Sequence, residues 1–75
     1  MTNQEIENIH TTPLGIQRIK RNLNLATDAV VSYCKQKIKQ AGRCERKGKN
    51  WYVITDAEII TINANTLTII TAHKF

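Results

Sequence analysis

Residues 51–73 read Trp51-Tyr52-Val53-Ile54-Thr55-Asp56-Ala57-Glu58-Ile59-Ile60-Thr61-Ile62-Asn63-Ala64-Asn65-Thr66-Leu67-Thr68-Ile69-Ile70-Thr71-Ala72-His73, and this stretch decides the fold. It is rich in β-branched and aromatic residues broken by short polar clusters, the composition of strands joined by turns. Strands are predicted over 51–55, 59–63 and 67–73, with a fourth over 44–47. The connections, 47–50, 56–58 and 63–66, are far too short for a parallel crossover, which needs about a dozen residues or more. The expected product is a three- to four-stranded antiparallel meander.

Upstream the periodicity changes to helical. Thr2 and Glu5 have capping-box spacing for a short first helix, with Ile6 and Ile9 as its apolar edge. Thr12 followed by Pro13 starts a second, since proline at the first helical position loses no bond that was not already orphaned. Ile16, Ile19 and Leu23 then share one side, and Gln17, Arg18, Lys20 and Arg21 largely take the other. Gly15 weakens this segment. A third helix starts at Thr27 or Asp28 and carries Val30, Val31, Cys34, Ile38 and Ala41 at helical spacing, with Gly42 fitting a left-handed stop. The fold class is therefore α+β: two to three N-terminal helices (within 2–42) packed on one face of the sheet (43–75), in a single domain spanning 1–75.

Parity assigns the faces. A tight hairpin through Ala64 and Asn65 places Ile60 and Ile62 with Leu67, Ile69, Thr71 and His73, toward the helices. The opposite face then receives Ile59, Thr61, Asn63, Thr66, Thr68, Ile70, Ala72 and Lys74, a Thr/Asn-rich surface open to solvent or a ligand. Asp56 and Glu58 read as a solvated turn.

A chain of 75 residues buries only about 60–65% of its unfolded surface, so its core is modest. Cys34 lies on the apolar stripe and Cys44 among charged residues, which indicates free thiols rather than a disulfide framework. The polar, acidic start Met1-Thr2-Asn3-Gln4-Glu5 is unlike a signal peptide, and no apolar run is long enough to span a bilayer. A cytoplasmic protein with no membrane partner is expected. His10 and His73 have no ligand spacing to a cysteine or carboxylate, and the three glycines are isolated, so neither a metal site nor a phosphate-binding loop, and no cofactor, is expected.

The charge is distinctive. The formal net charge is +5, and ten of the eleven Lys and Arg residues lie between Arg18 and Lys49, opposed there by Asp28 and Glu45 alone. Such a field attracts anions, although Lys35, Lys37 and Lys39 also complement the negative end of their helix dipole. Arg18, Arg21, Lys35, Lys39, Arg43, Arg46, Lys49 and Lys74, together with Trp51 as a stacking platform, form the candidate nucleic-acid surface. Because adjacent strand residues point to opposite faces, one of Trp51 and Tyr52 is exposed at most. His73 is of the side-chain type suited to proton transfer near neutrality. Histidine together with Lys or Arg can supply the general acid–base and electrostatic terms of metal-free RNA cleavage.

Glu45-Arg46-Lys47-Gly48-Lys49-Asn50-Trp51-Tyr52-Val53, Ile60-Thr61-Ile62-Asn63-Ala64 and Thr68-Ile69-Ile70-Thr71-Ala72-His73-Lys74, with Leu14-Gly15-Ile16 and Arg18-Ile19-Lys20 upstream, resemble a small bacterial domain family of unknown function. The string TIITAHK is its most specific mark. More distantly, helices followed by a basic sheet with a Thr/His/Lys terminus are similar in layout to barnase-like, colicin-like and RelE-like ribonuclease toxins. That resemblance implies RNA cleavage without metal, with Arg46, Lys47 and Lys49 as phosphate ligands, His73 as general acid or base, Thr71 as a supporting hydroxyl and an antitoxin partner, so that His73, Lys47 and Thr71 make the expected catalytic set. Three functions are thus expected to compete: a metal-free ribonuclease acting on RNA, a non-catalytic nucleic-acid-binding module, and a protein-interaction or inhibitor module with a cationic face. The unpaired sheet edges also suit a homodimer.

Overall fold

The computed structural model describes residues Met1–Phe75. Helices α1 (Asn3–Glu7), α2 (Pro13–Leu23) and α3 (Val30–Gln40) precede strands β1 (Arg43–Lys47), β2 (Asn50–Ile54), β3 (Glu58–Asn63) and β4 (Ile69–Lys74). The strands pair antiparallel in the order β1-β2-β3-β4, the meander that the short connections require, in an α+β layout with the helices N-terminal. No helix is long and apolar enough to cross a membrane.

The helices cover one face. Ile6, Ile9, Ile19, Leu23, Val30, Cys34 and Ile38 meet Val53, Ile60, Ile62, Ile69 and Ala72 in one buried cluster. Each fully buried aliphatic side chain there contributes about 1.5–3 kcal/mol of transfer free energy. The start signals act as read. Thr2 Oγ1 accepts the Glu5 N–H at 3.1 Å while Glu5 Oε1 accepts the Thr2 N–H at 2.9 Å. Thr12 Oγ1 accepts the Gly15 N–H at 3.0 Å with Pro13 in the first turn.

Helix α3 departs from expectation at both ends. Thr27 spends its hydroxyl on the Ala29 N–H, and Asp28 turns its carboxylate to Lys20. The helix therefore opens at Val30, behind Ala29, with no side-chain cap. At its end Ala41 is already extended, so the chain runs straight into β1 and Gly42 is no left-handed stop. That conformation instead closes α2, at Asn24, with φ 53°. Gly48, at φ 57°, turns the β1–β2 hairpin.

The parity assignment of β4 is overturned. The tight hairpin does not form: Asn63 Oδ1 caps the Asn65 and Thr66 amides, the Leu67 N–H bonds to Asn63 O at 2.8 Å, and Leu67 adopts φ 60°. The strand begins only at Ile69. Ile69 then pairs with Ile62 and Thr71 with Thr61, so Ile70 is an extra residue bulged out of the ladder. One additional residue exchanges the faces beyond it. Ile69 and Ala72 are buried under the helices, whereas Thr71 and His73 join Ile59 and Thr61 on the open face.

Glu58 is likewise no solvated turn residue; it is 1% exposed. Its Oε1 accepts the Thr55 hydroxyl at 2.6 Å and lies 3.3 Å from Lys37 Nζ, and its Oε2 accepts the Tyr33 hydroxyl at 2.9 Å. Burial pushes the carboxyl upward, but the bonds from Thr55, Tyr33 and Lys37 outweigh it and hold the pKa below the ordinary value. Asp56 takes the same Lys37 ammonium at 2.6 Å and stays exposed. The cluster binds the middle of α3 to the β2–β3 turn.

Candidate nucleic-acid interface

With the helices on one side, the other side of the sheet is uncovered, and the register arranges its residues in rows. Arg43, Ile54, Ile59 and His73 form one row; Glu45, Tyr52, Thr61 and Thr71 form the next; Lys47, Asn50 and Asn63 form a third. Tyr52 lies at the middle of this surface, half-buried, on an inner strand. Beside it a shallow hollow of about 330 Å³ is lined by Glu45, Lys47, Tyr52, Ile54 and Ile59. The aromatic ring offers a stacking plane, the isoleucines an apolar wall, and Thr61 and Thr71 neighbouring hydroxyls. Sequence reasoning named Tyr52 as one of two alternatives; the β2 register decides between them.

Trp51 faces the helices. It packs against the core, and its Nε1 is buried without a hydrogen-bond partner. The Arg46 guanidinium lies over the indole, 5.5 Å from the ring centroid, and Arg46 Nε donates to Gly48 O at 3.0 Å. Trp51 is thus a covered ring on the far face, not a free platform for a base.

The acidic residues are all engaged. Glu5 closes the α1 cap, Glu7 pairs with Lys39 at 2.7 Å, Asp28 pairs with Lys20, Glu45 pairs with Arg43 at 3.2 Å, and Asp56 and Glu58 share Lys37. Two expected nucleic-acid ligands, Lys39 and Arg43, are therefore already ion-paired. Arg18, Arg21, Lys35, Arg46, Lys47, Lys49 and Lys74 make no ion pair. They are not one patch. Arg18 and Arg21 line a hollow on α2 with Leu14 and Gln17, Lys35 is on α3, and Lys74 ends β4 opposite Glu58. Lys47 lines the hollow of Tyr52 and Lys49 stands in the β1–β2 turn, whereas Arg46, the cross-strand partner of Trp51, lies on the helix-facing side of the hairpin.

The expected catalytic set does not converge. His73 and Thr71 are neighbours, with Thr71 Oγ1 and His73 Nε2 3.3 Å apart. Lys47, however, is three strands away and two rows along, roughly 14 Å across the sheet and 13 Å down it. General acid–base partners act within about 3 Å of a shared reacting atom. His10 Nδ1 donates to Asn8 O at 3.1 Å and its Nε2 lies 3.2 Å from Thr68 Oγ1, joining the α1–α2 connection to the segment just before β4. No three His, Cys, Asp or Glu side chains gather in a group that could hold a metal ion.

Residues 3–73 match the family model described as protein of unknown function DUF3781. The chain belongs to this family. The match spans both the helices and the whole sheet, as the TIITAHK resemblance implies, and it gives no support to the ribonuclease-toxin likeness. No curated protein and no solved structure matches the chain.

Proposed function

We propose that this DUF3781 domain is a non-catalytic module that binds single-stranded nucleic acid, RNA in preference to DNA, on the open face of its sheet. One observation carries the reading. A solvent-facing tyrosine on an inner strand adjoins a hairpin whose cations have no acidic partners. A base stacks on Tyr52, an interaction worth about 1–3 kcal/mol per base. Lys47 and Lys49 neutralise the phosphates that follow. The open hydroxyl row of Thr61 and Thr71 suits the 2′-hydroxyl, which both donates and accepts. Separation of His73 from Lys47 favours binding over cleavage.

Fluorescence anisotropy with a labelled single-stranded RNA, in EDTA and at rising KCl, tests it. Tyr52→Ala is expected to weaken binding about tenfold with an unchanged circular dichroism spectrum, and the RNA to remain intact. Equal affinity for wild type and Tyr52→Ala would remove the platform. RNA cut by wild type but not by His73→Ala would restore the ribonuclease reading.

A further inference from the structure

We propose that the hollow beside Tyr52 selects guanine, with Glu45 as the residue that reads the base. This rests on the open face being the nucleic-acid surface. Glu45 and Tyr52 are direct cross-strand partners, and on the other side of Tyr52 stands Thr61. A base stacked on the ring therefore presents one edge toward the Glu45 carboxylate. That group is an odd presence on a surface meant for phosphates, since it is the sole acid on the open face. Its charge is offset, though: Oε2 lies 3.2 Å from Arg43 Nε, while Oε1 has no hydrogen-bond partner. The carboxylate is thus oriented and half-neutralised yet retains accepting capacity on both oxygens.

A carboxylate accepts and cannot donate, so the edge it meets must carry donors. Guanine offers two adjacent donors, N1–H and N2–H, spaced for the two carboxylate oxygens. Adenine and cytosine each set one amino donor beside a ring nitrogen lone pair, which would face the second oxygen and be repelled. Uracil flanks its single N–H with two carbonyls. Selection thus comes from attraction and repulsion together, the combination that makes discrimination strong. Ile54 and Ile59 line the same hollow and give the base an apolar contact beside the ring.

The test uses labelled uridine heptanucleotides whose central base is guanine, hypoxanthine, adenine, cytosine or uracil, with wild type and Glu45→Gln, and guanosine monophosphate as competitor. Wild type is expected to bind the guanine strand about tenfold or more tightly than the adenine, cytosine and uracil strands. Hypoxanthine, which lacks the N2 amino group, should fall between. In Glu45→Gln, which keeps the side chain's shape, the preference should vanish while weak binding to every strand survives. Equal binding of all strands by wild type overturns the guanine assignment and leaves the binding module standing. Binding of no strand overturns both. Guanosine monophosphate competing as tightly as the strand would keep guanine as the ligand but identify the free nucleotide as its source, overturning the strand reading.

Discussion

The Tyr33 hydroxyl donates to Glu58 Oε2 at 2.9 Å, joining a residue at the middle of α3 to the first residue of β3 across the helix–sheet interface. Its importance lies in what would remain without it. Glu58 is almost wholly inaccessible to water, so an oxygen deprived of its donor has no solvent to replace it. Tyr33→Phe removes that donor and almost nothing else. We expect a loss of about 1–3 kcal/mol, seen as a lower urea midpoint with an unchanged m-value. A midpoint within error of wild type would mean that water reaches Glu58 after all.

The same carboxylate sets the acid limit. Glu58 titrates below its ordinary value in the native state because the Thr55, Tyr33 and Lys37 bonds outweigh its burial. Glu7, Asp28 and Asp56 are also lowered, each chiefly by hydrogen bonding to its lysine. The unfolded chain therefore binds protons first as the pH falls. The stability these groups contribute is present above the unfolded carboxylate pKa, about 4, and is lost as the pH drops through the native values. Thermal melts between neutral and acid pH should show this fall, and Glu58→Gln should flatten it. Parallel curves for wild type and variant would assign the acid sensitivity to the surface pairs alone.

Alkali acts on the same helix from the other side. Burial pushes the Cys34 thiol up to about 12, and the nearby Glu58 charge adds to it. Its contribution is fully present below the pKa of an unfolded thiol and is lost as the pH rises toward 12. Cys44 is exposed, so at neutral pH a thiol reagent should modify Cys44 promptly and reach Cys34 only after unfolding. Two thiols reacting at the same rate in native buffer would contradict the packing of α3.

Gly15 is occupied for a reason that helix propensity hides. A methyl group there would collide with Thr11 Oγ1, and that hydroxyl donates to Ile69 O at 3.0 Å, tying the start of α2 to β4. On propensity alone Gly15→Ala gains about 1 kcal/mol. We expect the reverse, a destabilised protein, because Thr11 must leave its bond. A higher melting temperature for Gly15→Ala would show that the Thr11 contact contributes little.

If the hairpin clamps phosphates, its cations act through counterion release. Lys49→Ala should reduce the slope of log affinity against log salt by about 0.7 for a single strand, whereas Lys39→Ala, whose lysine is already paired with Glu7, should leave it unchanged. Identical slopes for both variants would detach the hairpin from RNA binding.

Much of the architecture was legible in the chain because it rests on local signals: the Thr2/Glu5 box, Thr12-Pro13, the period-2 strands and connections too short to cross over. The departures have nonlocal causes. Asp28 left its helix for Lys20, an ion pair that spacing alone does not announce. Glu58 looked like a turn acid because its three donors come from Tyr33, Lys37 and Thr55, two of them on another element. Trp51 and Tyr52 could be told apart only through the register of β2. His73 was recognisable as a histidine suited to chemistry, but the distance to Lys47 depends on strand order.

The bulge at Ile70 has a consequence for how such a domain can vary. Because β4 alternates between core and open face, its length is a parity bit: deleting one residue between Leu67 and Thr71 would send Thr71 and His73 beneath the helices and expel Ala72. Substitutions along β4 are graded in effect; a single-residue insertion or deletion is not. Relatives of this chain should therefore keep the number of residues between the end of β3 and Thr71 fixed.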